Sequence, residues 1–131
     1  MTCADTSSLV AYIHGEPGPD LELVDRALSE YSLVLSPVSV TELLSGPLVT
    51  PQLEKFILGI QRLEIKPGYW ERAGKLRADL IRRGYRPKIA DTLIAQSCLD
   101  HGVPLITRDR DFVSFRKVAG LRLLAMGDVL Q

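Results

Sequence analysis

Five carboxylates in this chain are spaced so that they could act together: Asp5, Glu42, Asp91, Asp109 and Asp111. Asp5 lies just past Thr2–Ala4, a short strand candidate. Glu42 lies in the helix expected after the apolar strand Leu33–Leu35. Asp91 opens a helix that leads into the apolar segment Val103–Ile106, and Asp109 and Asp111 follow that segment in Thr107-Arg108-Asp109-Arg110-Asp111-Phe112. If these segments are parallel strands, their carboxyl ends share one sheet edge, which is where ligands of open α/β sheets bind. Asp5, Glu42 and Asp109 then converge from distant sequence. Clustered carboxylates oppose one another's ionisation, and a divalent cation with oxygen ligands is the usual resolution. Mg²⁺ or Mn²⁺ suits this set, since the chain has no Cys/His group for zinc and no calcium loop. Taken singly, each acid has a plainer role. Asp5 is a good helix cap, Asp91 is favoured in a first helical turn, Glu42 suits a solvated helix face, and Asp109 and Asp111 suit a turn. Only their joint placement argues for chemistry.

The elements that must position these acids alternate along the chain. After Thr2–Ala4 comes a turn at Asp5-Thr6-Ser7-Ser8 and a helix from Leu9. Pro19 and Asp20 open a second helix with Leu21, Val24, Leu28 and Tyr31 on one face. Pro37 precedes a helix through Val40, Leu43 and Leu44 that ends at Gly46-Pro47, and Thr50-Pro51 caps another with Leu53, Phe56, Ile57 and Ile60 inward. Leu63–Ile65 reads as a third strand. Tyr69, Ala73, Leu76 and Leu80 then repeat at helical spacing, with Gly84 as a stop. Pro87 precedes a helix from Ile89 closed by His101-Gly102, and Leu121–Ala125 is the last strand candidate. Strands that are continuously apolar and alternate with helices predict a parallel sheet covered on both faces, an α/β fold of three layers with four to five strands.

At 131 residues, 46% hydrophobic and 24% charged, the chain suits one globular domain spanning 1–131, and disorder is excluded. Its longest apolar run of interest, Leu9–Ile13, is far below a membrane span, and Asp5 interrupts any secretory leader, so a cytoplasmic protein is expected. Cys3 and Cys98 read as buried free thiols. The 16 basic and 16 acidic residues balance overall but segregate. Residues 62–88 hold nine bases against three acids, whereas residues 1–61 hold eight acids against two bases. The basic block, including Arg72, Lys75, Arg82 and Arg83, reads either as a solvated helix face or as a track for a polyanion such as RNA. Trp70 on that helix suits packing, an interface or stacking on a base. His14 and His101 lie on separate helices with no motif that would bring them together, and neither reads as a ligand.

Four segments in order, Asp5-Thr6-Ser7, Ser39-Val40-Thr41-Glu42-Leu43, Ala90-Asp91-Thr92-Leu93-Ile94-Ala95 and Leu105-Ile106-Thr107-Arg108-Asp109-Arg110-Asp111-Phe112, resemble the PIN-domain family, in particular its VapC-type toxins. The resemblance runs nearly end to end. It implies that Asp5, Glu42, Asp91 and Asp109 are the catalytic acids, with Asp5 and Asp91 holding the metal and Glu42 and Asp109 joining directly or through water, that Asp111 is a further metal ligand, and that Thr6 and Thr107 are supporting hydroxyl residues. Many members space the last acid differently from Thr107, which leaves the division of labour between Asp109 and Asp111 open. The resemblance further implies an endoribonuclease using one or two Mg²⁺ (or Mn²⁺) ions for in-line attack by water, leaving a 5′-phosphate and a 3′-hydroxyl. It also implies a homodimer and a VapB-type antitoxin, whose segment would place an Arg in the acidic pocket and apolar residues in a groove walled by Leu21–Tyr31 and Leu53–Ile60.

The alternatives are a PIN-domain nuclease that is not a toxin, a catalytically dead PIN-like binding domain, and a phosphoacceptor receiver domain. The full acidic set speaks against a dead domain. A receiver wants an adjacent acidic pair after the first strand and a late Lys, but Asp5 stands alone and Lys117 lies in no matching position. A phosphatase with a nucleophilic Asp would want Asp-x-Asp there, and position 7 is Ser.

Overall fold

The computed structural model describes residues 1–47 and 49–126. Short apolar segments supply its sheet: β1 (Thr2–Ala4), β2 (Leu33–Leu35), β3 (Gln61–Arg62), β4 (Leu105–Ile106) and β5 (Leu123–Leu124). They run in the order β3-β2-β1-β4-β5, and every neighbouring pair is parallel. The strands are connected by α1 (Thr6–Ile13), α2 (Pro19–Ser29), α3 (Pro37–Leu44), α4 (Pro51–Leu58), α5 (Tyr69–Arg82), α6 (Ile89–His101) and α7 (Val113–Ala119), with a 3₁₀ turn at Arg110–Phe112.

Strand side chains alternate between faces, and both faces are apolar, so the sheet must be covered twice. Cys3, Val34, Leu105 and Leu123 point into one core with Leu80, Ile94, Cys98, Phe112 and Phe115. Ala4, Leu33, Leu35 and Ile106 point into the other with Leu9, Val24, Ala27, Leu43 and Ile57. The α5–α7 side thus covers one face and the α1–α4 side the other, giving the three expected layers. The strand order reverses between β1 and β4, so a crevice opens beyond their carboxyl ends, where Asp5 and Thr107 emerge.

Buried polar bonds fix the helix that carries Asp91. Tyr69 Oη donates to the Leu93 carbonyl at 2.6 Å, and Ser36 and Ser97 share a 2.9 Å hydroxyl contact between the end of β2 and α6. At the far end of α6, Asp100 receives Arg72 through two parallel bonds of 2.9 and 2.6 Å and Gln96 at 2.8 Å.

Several expected boundaries move. Helix α1 begins at Thr6, not Leu9, because Asp5 already occupies the N-cap position. The third strand is the exposed pair Gln61–Arg62 and not Leu63–Ile65, whose Leu63 instead fills the core just beyond it. Val103–Ile106 pairs only over Leu105–Ile106, and Leu121–Ala125 only over Leu123–Leu124. Tyr31 does not join the inner face of α2: it follows the helix with a positive φ of 54° and is 96% exposed. Thr50 caps α4 as expected, accepting from Leu53 N at 3.1 Å. Cys3 and Cys98 are buried free thiols in one core.

Candidate metal centre

Asp5 leaves β1 at the sheet's crevice and takes the N-cap position of α1, yet its side chain makes no capping bond to that helix. Its carboxylate, only 3% exposed, accepts instead from Ser7 Oγ at 2.6 Å and Thr107 Oγ1 at 2.9 Å. The plain capping role is therefore not what this side chain does. Thr107, fully buried at the end of β4, also accepts from Asp109 N at 2.9 Å, so one hydroxyl ties the ends of β1 and β4 together. Asp109 Oδ1 accepts in turn from Asp111 N at 2.9 Å, which closes the 3₁₀ turn and carries Asp111 back toward the crevice. Asp91 arrives from the first turn of α6, which runs opposite to the strands and so starts at their carboxyl edge.

Oxygens of Asp91, Asp109 and Asp111 lie within 4.8 Å of one another. Asp91 Oδ2 is buried and has no hydrogen-bond partner, a costly state for a carboxylate. Burial pushes the Asp91 carboxyl up to about 6, and the charges of Asp5, Asp109 and Asp111 add to the shift while Lys88 opposes it. Burial also raises Asp5, with a further contribution from Asp109, against the lowering effect of the Ser7 and Thr107 hydrogen bonds. An orphaned carboxylate oxygen among hard oxygen donors fits an octahedral divalent cation such as Mg²⁺ or Mn²⁺.

Glu42 stands apart from that trio. It is exposed on α3, where Thr6 Oγ1 donates to its Oε1 at 2.8 Å and also contacts Ser39 Oγ at 3.0 Å. Thr6 adjoins Asp5, so Glu42 sits at the rim through a neighbour of the buried acid. Of the five acids singled out in the sequence, Asp91, Asp109 and Asp111 are gathered, Asp5 is buried and coupled to them by charge, and Glu42 lies at the edge. Asp111 belongs to the gathered trio as fully as Asp109 does.

The basic residues of α5 are less free than the sequence suggests. Arg72 is committed to Asp100 and to the Pro67 carbonyl, and Arg82 and Arg83 both lie on Asp79. Lys75 is exposed. A sequence reading misses Arg108 altogether. Its Nε donates to Asp20 Oδ2 at 2.8 Å and its Nη2 to Oδ1 at 3.1 Å, while Ser8 Oγ also donates to this 3% exposed carboxylate. Burial alone would raise Asp20, but the Arg108 and Ser8 bonds outweigh it and the net shift is downward. Because Arg108 lies between Thr107 and Asp109, this clamp anchors the backbone that carries both. The only hint in the sequence is an Arg inside the acidic run; Asp20 looks like an ordinary first-turn residue.

An apolar cleft lies between α1, the end of α3 and α4, walled by Val10, Ile13, Leu43, Leu53 and Ile57. The segment from Leu53 lines this cleft together with α1, whereas α2, the other helix named as a candidate wall of a partner groove, does not. No helix among the described residues is long and apolar enough to cross a membrane.

The profile of the PIN domain matches residues 2–121. No curated protein sequence matches the chain significantly. Among solved structures, the chain is similar to one in DNA-bound VapBC from Salmonella typhimurium, with 22% identity, a TM-score of 0.70, and 94% and 97% of the two chains covered. It is similar also to one in VapBC-5, a member of the VapBC family of toxin–antitoxin systems from Mycobacterium tuberculosis, with 20% identity, a TM-score of 0.64, and 93% and 95% covered. A third, in FitAcB from Neisseria gonorrhoeae, has 18% identity, a TM-score of 0.68, and 94% and 96% covered.

Proposed function

The chain belongs to the PIN-domain family, a family of nucleases, and on that premise we propose that it is a Mg²⁺-dependent endoribonuclease acting as the toxin of a VapBC-type pair. The observation that carries this reading is the unpartnered, buried oxygen of Asp91 among the carboxylates of Asp109 and Asp111. Asp91, Asp109 and Asp111 would hold the ion, with Asp5 and Glu42 contributing directly or through water. When bound, the ion lowers the pKa of a water nucleophile and stabilises charge developing on phosphorus and the leaving oxygen.

The chain's own residues prepare that reaction. Thr107 fixes Asp5 and the Asp109 backbone together, so the acids are held in place before any ion or substrate arrives. Glu42, exposed at the rim and held by Thr6, is accessible to water and able to accept a proton from it. Lys75, Arg82 and Arg83 on α5 supply attraction for RNA, whereas Arg72 serves mainly to hold α6 through Asp100.

A VapB-type antitoxin, a homodimer and a cytoplasmic site of action follow from the same reading. The solved complexes named above are of the toxin–antitoxin kind, and the apolar cleft between α1, α3 and α4 suits apolar anchors of an antitoxin segment. An antitoxin Arg entering the acidic centre would compete with the ion. The test is incubation of the purified chain with labelled RNA, with Mg²⁺ or with chelator, beside the Asp91→Asn variant. Cleavage that needs the ion and is lost in the variant supports the nuclease reading; cleavage that persists in chelator defeats it. Growth arrest on expression, relieved by the product of a neighbouring gene, tests the toxin role separately.

A further inference from the structure

A notch beside the acid cluster collects cations that the site described so far does not use. One wall is the α5–α6 connection with Tyr85 and Arg86; the other is the 3₁₀ turn and α7, with Arg110, Asp111, Ser114 and Lys117. Asp111 belongs both to this notch and to the carboxylate trio, so the two sites adjoin. Among the described residues, Arg86, Arg110 and Lys117 make no side-chain hydrogen bond or ion pair. On α5, by contrast, Arg72, Arg82 and Arg83 all do. Arg110 lies in sequence between two gathered carboxylates, yet it pairs with neither.

Both walls are preformed. Helix α5 ends in a Schellman turn: Tyr85 N donates to the Leu80 carbonyl and Gly84 N to the Ile81 carbonyl, with Gly84 at a φ of 93°. Just beyond, Arg77 Nε holds the carbonyl of the buried Pro87 at 3.1 Å, so Tyr85 and Arg86 are fixed from both sides. Opposite them, Phe112 and Phe115 are fully buried and anchor the turn and α7, and Ser114 Oγ donates to the Asp111 carbonyl. Ser114 and Lys117 are three residues apart and share the face of α7 that lines the notch.

Three cations line the notch against one carboxylate, that of Asp111, so it carries a net positive charge that a bound anion would offset. Resting on the nuclease reading above, we infer that this notch binds a phosphodiester of single-stranded RNA next to the scissile one. Arg86, Arg110 and Lys117 contact the phosphate, and Tyr85 offers its ring to the adjoining base. Charge complementarity selects the phosphate, the shared Asp111 places it beside the acid cluster, and an aromatic beside cations is the usual arrangement for single strands.

The experiment compares an Arg86→Ala/Lys117→Ala double variant with a control that removes the same charge elsewhere, Arg26→Ala/Lys55→Ala. Binding of a labelled single-stranded RNA is followed by anisotropy in chelator across a salt series. Removing one cation from the phosphate should lower the slope of log K against log salt by about 0.7, which corresponds to about fivefold in Kd at 0.1 M salt. The notch variant should therefore bind about 25-fold more weakly with a slope reduced by about 1.4, and the control should change far less because distant charges are screened. Tyr85→Leu should weaken binding at least about fivefold with little change of slope. The rise in melting temperature on adding Mn²⁺ should persist in the notch variant, which reports an intact fold and acid cluster. Equal losses in notch and control variants, or none in either, overturn the assignment. So does a notch variant that keeps RNA binding but loses binding of an acidic peptide. If the wild type cleaves RNA while the notch variants bind it normally, only the notch assignment falls; a wild type that neither binds nor cleaves RNA removes the nuclease reading as well.

Discussion

Replacing Asp91 with Asn should stabilise the ion-free protein while abolishing its cleavage activity. In the folded chain the Asp91 carboxyl is raised from 3.8 to about 6, chiefly by burial and then by its acidic neighbours. A rise of that size is worth at most about 3 kcal/mol. Asp91 is only half-buried, so solvent screening brings the expected penalty to about 1–2 kcal/mol. The sign follows from which state holds the proton. Below the unfolded value of 3.8 both states are protonated and the acid costs nothing. Between 3.8 and about 6 the unfolded chain releases the proton first, so stability falls as pH rises. Above about 6 the full penalty is present. The Asn variant escapes it, and its amide can donate into the neighbouring carboxylates. Thermal unfolding in rigorously metal-depleted buffer should therefore show the variant melting roughly 4–8 °C higher at pH 8, with the difference vanishing near pH 3.5. Mg²⁺ should close part of the gap by stabilising the wild type more than the variant. A variant that is no more stable at pH 8, or whose advantage is the same at every pH, would refute the electrostatic account of the cluster.

Thr107→Val removes one buried hydroxyl that serves both Asp5 and the Asp109 backbone, and should cost about 1–3 kcal/mol in urea unfolding and weaken Mn²⁺ binding in the same protein. Arg108→Ala strands the buried Asp20 and should cost more than the Arg108→Ala/Asp20→Asn double variant; simple additivity in that cycle would show that the pair is not coupled. Because Asp20 is lowered in the fold, its stabilising share is present above the ordinary carboxylate range and is lost as pH falls, so the two Arg108 variants should converge in acid. Thr6→Val should leave Mn²⁺-induced stabilisation nearly intact while slowing cleavage, because it releases Glu42 at the rim and not the gathered trio; an equal loss of ion binding would place Glu42 in the inner site.

The fold was largely legible because the strands are apolar on both faces and the helices carry their own punctuation. Pro19, Pro37, Pro51 and Gly84 mark real ends, and Leu33–Leu35 is a strand over the expected residues. What was hidden depends on pairing across long separations. Gln61–Arg62 has no apolar signal and becomes a strand only because β2 offers an unpaired edge. The helix Val113–Ala119 is short and follows a turn whose closure depends on the Asp109 side chain, so no periodic pattern announces it. The acids show the same divide. Their placement at strand ends was visible, whereas the choice of Asp91, Asp109 and Asp111 as the gathered trio required the side-chain geometry. Asp20 and Arg108 are 88 residues apart, and nothing local distinguishes their bond from surface charge.

The stretch from Thr107 to Asp111 shows how one short run keeps opposite charges from cancelling. Five residues alternate hydroxyl or acid with base, and on a free chain the Arg side chains would fold onto the carboxylates. Here Asp109 accepts from Asp111 N, and the tight turn holds the two acids toward Asp91. Arg108 is drawn the other way by Asp20, with two bonds to a buried carboxylate that outcompete any single bond at the solvent-facing cluster. Arg110 lines both the notch with Lys117 and the hollow beside Pro17–Asp20, unpaired with the acids on either side of it. The cluster therefore keeps its negative charge for a cation and the notch keeps its positive charge for an anion, although both arise from neighbouring residues. Severing the Asp20 clamp should let Arg108 swing onto Asp109 or Asp111. In that case Asp20→Ala should lower Mn²⁺ affinity well beyond what its loss of global stability explains, and Asp20→Ala combined with Arg108→Ala should restore much of that affinity. Recovery of ion binding in the double variant is the outcome that separates a clamp holding charge away from the site from one that merely holds up the fold.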